Sequence, residues 1–551
     1  MDRDMRVLLD EALAAIRSRQ HYSAFPESPS PRVYGAEAAS AGQAAFEAWK
    51  GRTFPLSTPG ASGTVASENS PYGIPMDIAY PRVTEDGLDE LFAAAAAGRR
   101  RWRGAGADGR LDVCLEILRR LHGRAFELAN AVMATTGQGF VMAFQAGVAH
   151  ALDRALEALA LAYAEMGRWP TRAVWEKPTK GEPLRMEKTY TIVPVGTALV
   201  IGCTTFPTWN SCPGLFASLV TGNSVVVKPH PGAVLPLAIT VQVCQEVLRE
   251  SGFDPHLVTL AAERPGDEIA QLLVTRPEVR LIDYTGGSLF GRWIEEHAHG
   301  AAVFAEKSGV NPVVVDSTDS FRGLCANLAF TLSLYSGQMC TTTQSIYVPA
   351  DGIETDEGHK SFADVGNGIA SAIDKLLSDD ARAVELLGAV VNESVQRRID
   401  QAPNFGEVVL ESRRLTHPTY PEATVRTPAL VAVGADDGAY GRECFGPVTF
   451  LVRTSGTAQS LELVRRVTAS VGAMTFGVYS TSESVLEDAR ETALDAGIPL
   501  SENLTDGVYV NQSAAFSDFH GTGVNPAANA ALVDSAFVAP RFRVVQIRRH
   551  A

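Results

Sequence analysis

The segment Tyr335-Ser-Gly-Gln-Met-Cys-Thr-Thr-Thr343 sets one cysteine, Cys340, in a small, polar, glycine-containing stretch directly after the apolar run Leu328–Leu334. Small neighbours let a reactant approach the sulfur. A thiol is also the strongest neutral-pH nucleophile among the side chains once it reaches the thiolate form. Most cysteines are small buried hydrophobes, so this segment alone leaves both readings open. Three other stretches carry residues with chemistry in them. Phe304-Ala-Glu-Lys-Ser-Gly-Val-Asn-Pro312 places Glu306 among apolar residues just before the run Val313–Val315. A carboxylate in that setting is expected to have a raised pKa, which suits a general base near neutrality. Its plainer reading is an ion pair with Lys307 or an arginine. Ile201-Gly-Cys-Thr-Thr-Phe-Pro-Thr-Trp-Asn-Ser211 puts the amide of Asn210 in a loop after a buried strand. Arg442-Glu-Cys-Phe-Gly-Pro-Val448 presents Glu443 beside a Phe-Gly-Pro turn.

These residues need a scaffold, and the patterning supplies one. Residues 1–55 read as a short helix (Val7–Ile16), a Pro/Ser-rich connector (Phe25–Pro31) and a second helix near Ala36–Trp49, packed against the main body. Residues 56–80 read as loop. Asp86–Arg103, Leu111–Leu128 and Phe140–Met166 have apolar residues at helical spacing. Lys188–Ile192 alternates as a strand does, and Gly196–Cys203 is a continuous apolar run of the kind found in buried parallel strands. A helix at Cys212–Val220 follows, then a strand at Ser224–Val227 ending in Lys228-Pro-His-Pro231. The pattern continues with Leu235–Ser251 (helix), Leu257–Leu260 (strand), Glu268–Thr275 (helix) and Arg280–Tyr284 (strand). The last of these runs into Thr285-Gly-Gly-Ser288 and the helix Leu289–His297. Such alternation builds a doubly wound parallel sheet, with ligands at the carboxyl ends of its strands. A second α/β unit starts near residue 313, with strands at Ser345–Val348, Val408–Leu410, Ala429–Val433 and Gly472–Tyr479. The fold class is therefore α/β, with two doubly wound Rossmann-like domains. The expected division is an extension at 1–55, a first domain at 56–312 with a β-hairpin excursion near 175–192, a second domain at 313–530 carrying the cysteine, and a strand-like tail at 531–551.

Composition narrows the function class. Of 551 residues, 46% are hydrophobic and 20% charged, which is ordinary for a globular protein. The net charge of −15 offers no basic field for nucleic acid or an anionic membrane. The seven cysteines are scattered and form no CxxC pair, so neither a disulfide framework nor a metal site is expected, and a reducing cytoplasm is the natural compartment. The N-terminus is too polar for a signal peptide, and prolines at 194, 207 and 213 break the longest apolar stretch.

Taken together and in this order, the four motifs resemble the aldehyde dehydrogenase superfamily over roughly residues 80 to 545. The interval from Glu306 to Cys340 also fits that family's spacing of base and nucleophile. The resemblance implies that Cys340 attacks an aldehyde carbon, that Asn210 and the Cys340 backbone N–H stabilise the oxyanion, and that Glu306 activates water against the resulting thioester. No GxGxxG fingerprint stands in the expected place, so the cofactor rests on the resemblance. Lys228 would hold the adenosine ribose. Thr285, Gly286 and Gly287, otherwise a plain helix cap, would hold the pyrophosphate. Glu443, with Phe445 beside it, would hold the nicotinamide ribose. NAD-preferring members carry a glutamate three residues after the lysine, where this chain has Pro231. Without that carboxylate, Lys228 and His230 could face a 2′-phosphate, so NADP is expected to serve at least as well as NAD. Gly507-Val-Tyr-Val-Asn511 resembles a late strand bordering the active site. The tail resembles an intersubunit strand, which implies a homodimer or homotetramer. Cys203, Cys212 and Cys444 read as packing residues, and His520 as exposed. The spellings Pro-Thr-Trp-Asn-Ser and Ala-Glu-Lys-Ser-Gly-Val-Asn-Pro, the long N-terminal extension and the late His520-Gly-Thr-Gly look like the phenylacetic acid degradation (PaaN-type) branch. There the substrate is an open-chain semialdehyde carrying a CoA thioester. The chain ends just past the last family strand, so a fused hydratase domain is not expected. The alternatives are a CoA-acylating dehydrogenase, against which Glu306 argues, and a non-catalytic binding protein of the same fold.

Overall fold

Apolar β-branched runs in this chain sit where both faces are covered, and the computed structural model shows the consequence; it describes residues 4–307, 309–510 and 515–550. Thr197–Ile201, Ser224–Lys228, Val258–Leu260, Val279–Thr285 and Ala302–Glu306 form one five-stranded parallel sheet. Thr197–Ile201 and Ser224–Lys228 are buried along their whole length, as strands with helices on both faces must be. Thr197–Ile201 lies at the middle of the sheet, beside Ser224–Lys228 on one side and Val279–Thr285 on the other. The carboxyl ends of Ile201, Lys228, Thr285 and Glu306 therefore share one rim.

A seven-stranded sheet follows. Asn311–Val315 is near its centre, flanked by Thr343–Pro349 and Phe476–Tyr479, and Glu407–Leu410 at one edge runs antiparallel. A third, three-stranded sheet stands apart: Phe542–His550 pairs antiparallel with Leu184–Pro194, which pairs with Arg172–Lys177.

The N-terminal extension is stitched to the body. Leu8, Leu9, Ala12 and Ala15 on the helix Met5–Ser18 are buried in the core that also contains the helix Ala151–Met166. Asp153 of that helix accepts hydrogen bonds from Ser23 Oγ at 2.8 Å and from the backbone N–H groups of Ala24 and Phe25.

The element boundaries differ from expectation in three informative places. The helix expected at Asp86–Arg103 is broken at Gly98, where any Cβ would come within 2.7 Å of Asp254 Cβ. Asn210 is not in a loop: Pro207 opens a helix through Val220, so Asn210 lies in its first turn. Pro207 is suited to that opening, because its missing N–H would have no partner there. Finally, Gly507–Val510 is not a strand; Asn511 lies outside the described residues.

Candidate active site

Cys340 is presented by a turn that the sequence pays for in backbone strain. Tyr335 and Ser336 have φ of 51° and 48°, and Gly337 has 62°. Left-handed non-glycine residues cost about 1–3 kcal/mol each, so neighbours must hold them. Ser336 Oγ donates to the carbonyls of Leu387 and Arg426, at 3.0 and 3.1 Å. The Tyr335 hydroxyl donates to the Thr136 carbonyl. Gln338 accepts from Val391 N–H and donates to the Ala389 carbonyl. Gly337 is required, because a Cβ there would sit 2.7 Å from the Gly446 carbonyl oxygen. Beyond the cysteine, Asn311 Nδ2 donates to the carbonyls of both Cys340 and Thr342 at 2.8 Å, while its Oδ1 accepts from Met474 and Thr475. The Cys340 loop is thus fixed at both ends by the buried amides of Gln338 and Asn311.

Glu306 ends the last strand of the five-stranded sheet, paired with Thr285. Its side chain is 1% exposed and held from two sides. Asn210 Nδ2 donates to Oε2 at 2.9 Å, and His520 Nε2 lies 3.0 Å from Oε1. The ion pair with Lys307 does not form: Lys307 Nζ turns away to Glu295, at 2.7 and 2.8 Å. Nor is the carboxyl pKa raised. Burial pushes it up, but the charge and hydrogen bond of His520, the Cys340 thiol and the charge of Arg154 outweigh burial and hold it below the usual carboxylate range. The Cys340 thiol moves the other way. Desolvation first, then the negative charge of Glu306, keep it well above its ordinary value. The resting pair is therefore an ionised carboxylate beside a protonated thiol.

Two residues acquire roles their sequence setting hid. His520 is not exposed; it is buried in the loop after residue 515, its ring against Trp209 at 4.6 Å between centroids, its Nε2 3.6 Å from Cys340 Sγ. That loop lies directly on the Glu306 strand, because Asn529 Oδ1 accepts from Ala305 N–H and the Ala527 carbonyl accepts from Lys307 N–H. Cys203 does more than pack: its thiol donates to Asn210 Oδ1 at 3.6 Å. This fixes the amide orientation, so that Nδ2 faces Glu306. The only sequence signal for His520 was a polar ring in a glycine-bracketed loop. Its partners lie more than 170 residues away in the chain, and nothing local reports them. Cys212 and Cys444 are buried, and all seven cysteines are free.

A cleft of about 280 Å³ joins these groups to most of the expected cofactor residues. Its walls include Cys340, Glu306, Asn210, Thr285, Gly286 and Gly287, with Glu443 and Phe445 opposite. The helix Ser288–His297 points its N-terminus at the cleft, with Gly287 as its cap residue and no capping side chain. Gly286 is obligatory, since a Cβ would meet the Tyr284 hydroxyl at 2.6 Å, whereas the space around Gly287 is open. A side-chain-free helix start of this kind fits a pyrophosphate. The Glu443 loop is pinned by Gln344, which donates to the Arg442 carbonyl and accepts from Cys444 N–H, and by Arg398, which donates to the Phe445 carbonyl. Lys228 and His230 do not line this cleft. Lys228 ends the strand beside Ile201, and His230 Nδ1 accepts from Gly232 N–H at 3.0 Å. The absence of a carboxylate inferred from Pro231 is corrected by the fold. Glu263, from the segment after Val258–Leu260, forms a buried ion pair with Lys228 and accepts from Ile269 N–H.

Comparison with known proteins agrees with this geometry. The family model described as "Aldehyde dehydrogenase family" matches residues 62–516, and the chain belongs to that family. A solved NAD-dependent aldehyde dehydrogenase from Burkholderia multivorans is similar over 100% of both chains, at 55% identity and a TM-score of 0.97. The 1-pyrroline-5-carboxylate dehydrogenase of Thermus with bound NAD shares the fold, with a TM-score of 0.75 at 20% identity over 97% of this chain and 99% of that one. Among curated sequences, 4-trimethylaminobutyraldehyde dehydrogenase B of Danio rerio is 26% identical over 71% of this chain and 72% of its own length. The match to 1-pyrroline-5-carboxylate dehydrogenase of Bacillus licheniformis, at 27% identity, covers 53% of this chain and 56% of that relative. Among the described residues no helix is long and apolar enough to cross a membrane.

Proposed function

We propose that the protein oxidises an aldehyde to a carboxylic acid through a covalent Cys340 intermediate. The observation that carries this is the convergence of Cys340, Glu306 and Asn210 on one wall of a cleft whose other end is a glycine-paired helix N-terminus. Cys340 adds to the carbonyl carbon. Asn210, released from Glu306, and the Cys340 backbone N–H receive the oxyanion. Thr285, Gly286, Gly287, Glu443 and Phe445 would hold a nicotinamide cofactor, which would supply the hydride acceptor there. Glu306 then takes a proton from water, which attacks the thioester. Its ionised state makes it ready for that step without a raised pKa. The intact base favours water over CoA as acyl acceptor, and the full set of reactive groups argues against a non-catalytic role.

We further propose NAD as the preferred cofactor. Glu263 supplies, from the segment after Val258–Leu260, the carboxylate that Pro231 removes, and it neutralises Lys228; a 2′-phosphate there would meet a negative charge beside a lysine already paired. The NAD-dependent relative from Burkholderia multivorans supports this reading. The motif spellings support a CoA-linked semialdehyde of aromatic ring opening as substrate. The three-stranded sheet exposes Val174, Leu184, Val545 and Ile547, and burying them between copies of the chain supports a homodimer or homotetramer; light scattering of Ile547→Glu against wild type tests it. The decisive experiment is pre-steady-state NADH formation with a simple aldehyde and a CoA-linked semialdehyde. Wild type and Glu306→Gln should give a burst, Cys340→Ala none, and Glu306→Gln no sustained turnover. Larger turnover with the CoA-linked aldehyde supports the phenylacetate branch; absence of any burst in wild type overturns the proposal.

A further inference from the structure

The resting site poses a problem of proton transfer. Cys340 must lose its proton before it can attack, yet both desolvation and the adjacent Glu306 carboxylate favour the neutral thiol. Glu306 could take the proton itself, but it would then be spent as the acceptor of the water proton until it discharged. A second acceptor stands in contact with both groups. One nitrogen, His520 Nε2, lies 3.6 Å from Cys340 Sγ and 3.0 Å from Glu306 Oε1. The three reactive atoms all fall within 4.8 Å of one another.

We infer that His520 is a further catalytic residue, accepting the Cys340 proton at Nε2 and then standing as an imidazolium between the thiolate and the Glu306 carboxylate. This rests on Cys340 being the nucleophile, as proposed above. For this transfer the ring starts in its Nδ1–H tautomer, with the Nε2 lone pair toward Sγ; the Nε2–H···Oε1 bond and the positive charge that hold the Glu306 carboxyl down belong to the imidazolium that the transfer creates. The S–H bond breaks, the proton forms the Nε2–H bond, and the electron pair remains on sulfur. The new Nε2–H donates to Glu306 Oε1 and lies beside the thiolate, so two anions share one cation. Sulfur then adds to the carbonyl carbon as the C=O π pair moves to oxygen. When water attacks the thioester, its proton goes to Glu306 and from there to the departing thiolate. His520 gives its proton to solvent, which accounts for the proton released per aldehyde oxidised.

The surroundings suit this role. His520 is 8% exposed, so its charge is worth more here than in water. Trp209 lies against its ring, and the Arg154 guanidinium lies 4.8 Å from the Trp209 ring centroid. The charged and titratable groups around it are thus Glu306, Cys340, Arg154 and, behind Asn210, Cys203. The loop is also rigid enough to aim the ring. Thr522 Oγ1 and Asn525 Nδ2 donate to the Gly497 carbonyl, and Asn525 Oδ1 accepts from Ala473 N–H.

The test reads the thiol without cofactor or substrate. Iodoacetamide alkylation of Cys340, resolved by peptide mass spectrometry, is followed from pH 5 to 10 in wild type, His520→Gln and His520→Ala, with melting temperatures measured in parallel. Glutamine keeps a donor toward Glu306 but cannot accept a proton. The expected result is that both variants lose about tenfold or more in alkylation rate at pH 7, with the rate midpoint moved upward by about one unit or more. Added imidazole should restore part of the rate in His520→Ala. Unchanged profiles in both variants overturn the inference, as does full recovery in His520→Gln, which would leave His520 only a positioning residue for Glu306. A wild-type Cys340 that alkylates no faster than Cys212 or Cys444 instead overturns the proposed function itself.

Discussion

Two buried charged clusters lie on neighbouring strands of the five-stranded sheet, and they are built for opposite ends. In the first, Arg541 is fully buried and forms a bidentate pair with Asp283, at 2.6 and 2.9 Å. Its remaining donors go to Ser218 Oγ and the Phe537 carbonyl, and the rings of Phe304 and Phe537 pack on its guanidinium at 4.5 and 4.0 Å. Asp283 leaves no room for change: a Cβ at Gly214 would fall 2.3 Å from its carboxyl carbon. The second cluster, Glu306–His520–Cys340, places one ring nitrogen between a thiol and a carboxylate. Holding the guanidinium by hydrogen bonds from all three nitrogens gives stiffness, whereas leaving one proton to be shared gives reactivity. The difference lies also in what the groups face: Arg541 and Asp283 are closed off from water, whereas Cys340 is partly exposed on the wall of the cleft.

Substitutions can separate the two. Cys340→Ala should abolish the NADH burst while leaving the melting temperature within a degree or two of wild type, because the site is not what holds the fold. Arg541→Met should do the reverse. Stranding Asp283 without its partner should cost about 3–5 kcal/mol of stability in urea unfolding, and Arg541→Met with Asp283→Leu should recover most of that loss. Recovery of activity by the double variant without recovery of stability would contradict the division drawn here. Asn210→Ala should lower kcat by about 10²–10³, with the burst amplitude retained at long times. The smallest effect expected comes from Asp153, a buried acid with hydroxyl and backbone donors but no paired cation. Burial pushes its pKa up to about 7, against the hydrogen bonds of Ser23, Ala24 and Phe25. The folded chain then holds a proton that the unfolded chain releases near pH 4, so this group's contribution to stability falls as pH rises from about 4 to 7. Asp153→Asn should flatten that slope in unfolding measured at pH 5 and pH 8. Glu306, equally buried, shifts downward instead: the charge and hydrogen bond of His520, with the Cys340 thiol and the charge of Arg154, outweigh burial there.

The parts of the site that the sequence made legible are those whose signal is local. Buried parallel strands announce themselves as apolar runs, and their ends place Glu306, Lys228 and Thr285 on one rim. Cys340 stands out by its small neighbours. What stayed hidden depends on contacts made across the chain. The carboxylate beside Lys228 comes from Glu263, in the segment after Val258–Leu260, and not from position 231, so the local motif did not report the charge there. Glu306 looked like a carboxylate with a raised pKa because its neighbours in sequence are apolar, yet its neighbours in space are His520 and Asn210. The helical start at Pro207 was readable in principle from proline's preference for a first helical turn, and it moves Asn210 from a loop to a rigid element. The segment Gly507–Val510 carries β-favouring residues but lies past the short edge strand Leu500–Glu502, where it takes no strand partner.

The strained turn at Tyr335–Gly337 also bears on how the chain matures. Its supports come from Thr136, Leu387, Arg426 and, through Asn311, Met474, positions spread over most of the polypeptide. The full set of supports is not in place until the chain has been made past residue 474. Cys340 can meet His520 only after residue 520 has been made, so a shorter nascent chain carries the thiol without the cluster around it.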